Sequence, residues 1–124
     1  MTLELEIDHV QIAIPKGGEA QGRAFFGGLL DLIEIPKPLE MAARGGCWFA
    51  AGQHQIHLGI DDDFRAAKKA HLALITNELD ELRARLVAAG YKTVNDSDVD
   101  GRMRFFTHDP FGNRIEFMDR TSRT

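Results

Sequence analysis

The 124-residue chain predicts an α+β protein built as one domain from two consecutive βαβββ modules, residues 3–61 and 68–120. Three observations predict it. Short runs in which apolar and polar residues alternate recur along the chain, the pattern of half-buried strands. In each half the first such run is followed by one stretch with helical spacing and then by three more strands. Metal-competent side chains also return at matching places: His9 and His57 stand in the first and last strands of one half, His71 and Glu116 in those of the other. Equal order and near-equal spacing mark an internal repeat.

Leu5 to Ile14 alternates, with Val10, Ile12 and Ile14 opposite His9, Gln11 and Ala13, and predicts the first strand. Pro15-Lys16-Gly17-Gly18 ends it. Glu19 to Leu32 then predicts a helix with Phe25, Leu29 and Leu32 on one stripe, weakened by Gly22, Gly27 and Gly28. Ile33 to Ile35 is a short strand before Pro36 and Pro38, and Gly46 to Ala50 is another. After the turn at Ala51 to His54, Gln55 to Ile60 sets Ile56, Leu58 and Ile60 against Gln55, His57 and Gly59. Asp61-Asp62-Asp63 reads as a solvated linker.

The second half opens with a strand from Ala70 to Thr76, Leu72 and Leu74 facing away from His71, Ala73 and Ile75. Asn77 serves as a helix cap, Leu79, Leu82, Leu86 and Ala89 fall at helical spacing, and Gly90 stops the helix. Tyr91 to Val94 predicts a strand, Asn95 to Gly101 a turn-rich loop, and Arg102 to Thr107 a further strand. Pro110 and Gly112 make a turn, and Arg114 to Met118 closes the chain with Arg114, Glu116 and Met118 on one face and Ile115 and Phe117 on the other. A carboxylate in the middle of such a strand is aimed somewhere specific. One helix per module covers the aliphatic face and leaves the opposite face, with His9, His57, His71 and Glu116, to line a concave surface. Four convergent polar groups there make a candidate site.

Composition excludes several classes of function. A net charge of −4 and a pI near 5.7 give no basic surface for a phosphate backbone, so nucleic acid is not an expected partner. No apolar run is long enough to span a bilayer, and Glu4, Glu6 and Asp8 occupy the region where a signal peptide is positive. A soluble, cytoplasmic protein is expected, with no membrane partner. The single cysteine, Cys47, excludes an internal disulfide.

At Asp8-His9-Val10, Ile56-His57-Leu58, Ala70-His71-Leu72 and Asp109-Pro110-Phe111-Gly112-Asn113-Arg114-Ile115-Glu116, the chain resembles the vicinal oxygen chelate superfamily. That superfamily includes glyoxalase I, extradiol dioxygenases, fosfomycin resistance enzymes, methylmalonyl-CoA epimerase and bleomycin resistance proteins. The closing Asp-Pro-x-Gly-Asn-x-x-Glu pattern is the most specific of the four. The resemblance implies paired βαβββ modules forming a cup around a divalent metal, held by His9, His71 and Glu116, with His57 a fourth ligand or a pocket residue near the metal. In short members the cup is usually completed across a homodimer, His9 and His57 coming from one subunit and His71 and Glu116 from the other. Imidazoles with one carboxylate suit Zn, Ni, Co, Mn or Fe(II), and open positions serve water or substrate.

The family points to a glyoxalase-like lyase, isomerase or thiol transferase acting on a small oxygenated substrate, with Glu116 and His57 as catalytic residues and a thiol as a candidate cosubstrate. A metal-free drug-binding protein of the bleomycin resistance kind is the alternative. Glyoxalase I carries glutamate where this chain has His57, extradiol dioxygenases typically have four modules, and the cation-binding loop of fosfomycin-type transferases is not found. His54 and His108, in or beside turns, read as solvent-facing, Cys47 as a small buried hydrophobe and Trp48 as a core aromatic. Arg44, Arg102 and Arg104 are equally readable as partners of an anionic substrate and as surface charge.

Overall fold

Alternation and turn chemistry produce eight strands and three helices in a computed structural model that describes residues 1–123. The chain is α+β, with two four-stranded sheets, each carried by its own module. It divides into two compact units, Met1–Phe64 and a second beginning at Arg65.

In the first unit, β1 (His9–Ile14) runs parallel to β4 (His54–Ile60), which pairs antiparallel with β3 (Cys47–Ala51), itself paired with β2 (Ile33–Ile35). The parallel β1–β4 pair requires a crossover, supplied by helix α1. This helix is α-helical at Glu19–Gly22 and widens to π winding over Arg23–Leu29. The departure from an uninterrupted α-helix over Glu19 to Leu32 has a packing counterpart: two consecutive rings, Phe25 and Phe26, are both buried, and Leu30 N–H reaches back to the Phe25 carbonyl. Phe26 meets Phe49, and Gly22 lies so near Leu58 that an added Cβ would stand 2.7 Å from its Cδ1. Cys47, Phe49, Ile56 and Leu58 thus form the helix-side core. A short helix α2 (Leu39–Ala42) lies in the loop after Pro38. β1 begins at His9 rather than Leu5, because the β4 partner of His9 is Gln55, next to the turn, and Leu5 to Asp8 have no strand beside them.

In the second unit, β5 (Leu72–Thr76) runs parallel to β8 (Arg114–Asp119), followed by β7 (Arg102–His108) and β6 (Val94–Val99). Helix α3 (Leu79–Ala88) buries Leu79 and Leu86. Its N-cap is Glu78, not Asn77, and Thr76 Oγ1 accepts the Glu78 N–H at 3.0 Å. Gly90, at φ +91°, ends it: Gly90 N–H bonds the Val87 carbonyl and Tyr91 N–H the Leu86 carbonyl, the paired bonds of a left-handed C-terminal cap.

Of the loop expected over Asn95 to Gly101, only Asp100 and Gly101 turn the chain; residues 95–99 are strand. Val94–Val99 is one of the two edge strands of the sheet, although all six residues are exposed. Their polar composition imitates a turn, but Asp100 and Gly101, both at positive φ, form the two-residue hairpin that hands the chain to β7. The β6–β7 register shifts between Asp96 and Val99.

Asp109 organises the turn before β8. Its carboxylate, 4% exposed as a residue, accepts N–H groups from Phe111 (2.9 Å) and Asn113 (2.8 Å) and the Asn113 side-chain amide (2.8 Å). Asp109→Ala strips the partner from those donors, so we expect a loss of about 2–3 kcal/mol in urea unfolding. An unchanged midpoint would refute this role.

Candidate functional site

Strand register decides which side chains share a face. In the second unit Glu116 on β8 stands opposite Ala73 on β5 and Phe106 on β7, away from the α3 side where Ile115 and Phe117 are buried. His71 lies just before β5, and its Nε2 is 3.0 Å from Glu116 Oε1. The other ring nitrogen, Nδ1, meets the Lys69 carbonyl at 3.0 Å. A carbonyl only accepts, so Nδ1 carries the proton, and Nε2 of the neutral ring turns its lone pair toward the carboxylate. Two acceptors in that arrangement need a cation or a second proton between them.

The separation also suits a metal: ligands about 2.1 Å from one ion and at right angles lie about 3 Å apart. A carbonyl fixing the far nitrogen is the usual support of a ligating histidine. Glu116 Oε2 is taken by Arg104 Nη1 at 3.4 Å, while Arg104 Nε bonds the Ser97 carbonyl at 2.9 Å and Nη2 meets Asp96 at 3.3 Å. The register shift in β6 lies beside these contacts. Glu116 is therefore held on one oxygen and presents the other.

In the first unit the register sets Gln11, His57 and Trp48 in one row across β1, β4 and β3. The rings of His9, His57 and Trp48 form a continuous stack, with centroids 4.0 Å and 3.9 Å apart and planes within 13° and 4°. Trp48 is thus on the His57 face and not in the helix-side core, contrary to the expectation for it. His9 Nδ1 is 2.8 Å from Asp8 Oδ2, which leaves Nε2 available as it is in His71. His57 differs: its Nε2–H donates to Gln55 Oε1 at 2.8 Å.

Burial, and then the neighbouring His9, hold the His57 imidazole below the ordinary histidine range. A depressed value means that stability is full above the unfolded pKa, about 6.5, and is lost as pH falls through the folded one. In metal-free protein the His57 ring should titrate by NMR below pH 6.5; a midpoint at or above that value would contradict the stacked, buried placement.

His9 with His57, and His71 with Glu116, are thus brought together two by two within their units. Among the described residues no group of three or more His, Cys, Asp and Glu that could hold a metal ion is gathered. His54 and His108 are exposed, and Cys47 is buried on the helix side. Arg44 lines a surface hollow with Lys16, Glu19 and Asp62. Residue types alone do not reveal Asp8 and Gln55 as ring partners or Arg104 as the partner of Glu116; Asp8 adjoins His9, while Arg104 becomes legible only once β6 is recognised as a strand.

The family model for the Glyoxalase/Bleomycin resistance protein/Dioxygenase superfamily matches residues 6–117. The chain belongs to that superfamily. Its fold is shared with a glyoxalase family protein from Bacillus anthracis, 43% identical over 98% of this chain and 99% of that one, at a TM-score of 0.91. FosX from Listeria monocytogenes, a genomically encoded fosfomycin resistance protein, is 17% identical over 96% of both chains, with a TM-score of 0.75. Lactoylglutathione lyase from Agrobacterium tumefaciens is 17% identical over 90% and 92%, with a TM-score of 0.68. At those identities the last two show a shared fold. No curated protein matches the chain. Among the described residues no helix of this superfamily member is long and apolar enough to cross a membrane.

Proposed function

We propose that this glyoxalase-superfamily protein is a divalent-metal-dependent enzyme, a lyase, isomerase or thiol transferase, that acts on a small oxygenated substrate by bidentate coordination. The observation that carries the reading is the His71–Glu116 pair, in which a carbonyl-fixed imidazole directs Nε2 at a carboxylate oxygen 3.0 Å away. His9, fixed the same way by Asp8, is the third ligand. His57 stands beside it; Gln55 holds its Nε2–H, so Nδ1 carries the lone pair that a fourth ligand would use. The donor set suits Zn, Ni, Co, Mn or Fe(II). A FosX mutant has been crystallised with Mn(II) and dihydroxypropylphosphonic acid, which supports the same class of ion here.

A bound metal supplies Lewis acidity that polarises a substrate oxygen. The protein supplies the rest. Glu116 is the one carboxylate of the set and the group able to take a proton from a substrate carbon, while Arg104 fixes its second oxygen. Burial, and then His9, disfavour the charged form of His57 beside the ligands. Trp48 shields it from the β3 side.

The reading places His9 and His57 of one subunit with His71 and Glu116 of another around each ion, in a homodimer. Its support is that β1 and β5 each have a sheet neighbour on one side only, with Val10 and Ile75 exposed on them. Metal analysis of protein purified without a His tag, followed by turnover assays on thiol hemiacetals and 2-oxo acids, tests the function. Stoichiometric metal with turnover supports it. A protein that stays empty after exposure to Zn, Ni, Mn and Fe(II) favours the second reading, a metal-free binder that stacks a planar molecule on the Trp48–His57–His9 platform.

A further inference from the structure

Two arginines flank Glu116 on its sheet face, and their surroundings differ. Arg104 is fully engaged, by Glu116, Asp96 and the Ser97 carbonyl. Arg114 is not. It lies two residues before Glu116 on β8, so it shares that face, and it is paired in register with His108. Its guanidinium carbon sits over the Phe106 ring, 3.8 Å from the centroid. His71 meets the same ring edge-on at 5.1 Å, so Arg114 and the His71–Glu116 pair are neighbours through one buried aromatic. Among the described residues no carboxylate pairs with Arg114, although the chain has 19 acidic residues against 15 basic ones.

A half-buried guanidinium immobilised on a ring has lost much of its rotamer freedom, yet its fork of N–H donors has no anion to hold. Ordinary surface arginines in an acidic protein are mobile and find acids readily.

We propose that Arg114 recognises an oxyanion of the substrate, which makes the substrate class a small oxygenated molecule carrying a carboxylate, phosphonate or phosphate beside its metal-facing oxygens. The term substrate rests on the metalloenzyme reading; the anion site does not. The planar fork accepts a carboxylate or phosphonate through two parallel hydrogen bonds.

The test uses metal-free, tag-free protein titrated with methylphosphonate and with acetate, followed by calorimetry and by NMR of the arginine Nε–H signals. At least one anion should bind and move the Arg114 signal. Arg114→Gln should weaken that binding about 10-fold or more, with Arg114→Lys between the two. Preference for one anion over the other assigns the substrate group. Equal affinity in wild type and Arg114→Gln, or no binding of either anion, overturns the proposal. Metal titration of the same proteins separates the two readings. If Arg114→Gln binds metal like wild type and the anion as well as wild type, the receptor role alone falls. Wild type that takes no metal but binds the anion through Arg114 sinks the metalloenzyme reading and leaves this site standing.

Discussion

Glu116→Gln and His71→Ala proteins are expected to fold and to bind no stoichiometric divalent metal. Gln replaces the carboxylate with a group of the same shape, so Arg104 keeps an oxygen acceptor and the β7–β8 pairing is undisturbed. What is lost is the charge facing His71 Nε2. Zinc sites with four protein ligands bind with about 10–16 kcal/mol, on the order of 3 kcal/mol per ligand. Loss of one ligand therefore weakens metal binding on the order of 10²-fold or more. Calorimetric titration of the two variants beside wild type measures this directly. Retention of wild-type affinity in both would remove His71 and Glu116 from the ligand set.

Phe49→Ala is expected to have the largest effect on stability. Phe49 is 1% exposed, packs against Phe26 of the π-wound segment, and lies at 3.4 Å from where a Cβ on Gly27 would stand. Truncating a buried phenylalanine costs about 3–5 kcal/mol. Domains of this size have only about 5–15 kcal/mol in total, so the melting temperature should fall by roughly 10–25 °C. The neighbouring residue in the chain is Trp48, on the opposite face, so the stack with His57 should loosen at the same time and the tryptophan fluorescence should change before global unfolding. A fall of less than about 1 kcal/mol would mean that the helix-side core does not depend on this ring.

The parts of the site that follow from period-two alternation are legible in the sequence. Ile115 and Phe117 must face the helix, so Glu116 must face away, and the Asp109 turn fixes where β8 begins. The same reasoning places His57 opposite Ile56 and Leu58. Residues whose role depends on a neighbour strand are not legible. Trp48 reads as core until its register with His57 is known, because an aromatic fits either face of a strand. Arg104 acquires its role from Asp96 and Ser97, on a strand whose Asn, Asp and Ser residues imitate a loop. The π winding is equally hidden: Phe25 and Phe26 are adjacent in sequence, and an α-helical stripe uses only one of them.

Mn(II) reports on its own ligands through coupling to their nitrogens. Electron spin echo spectroscopy of wild-type protein loaded with one equivalent of Mn(II) should show modulation from imidazole nitrogens, reduced in depth by His71→Ala and by His9→Ala. A spectrum of hydrated Mn(II) without nitrogen coupling would mean that neither His9 nor His71 holds the ion.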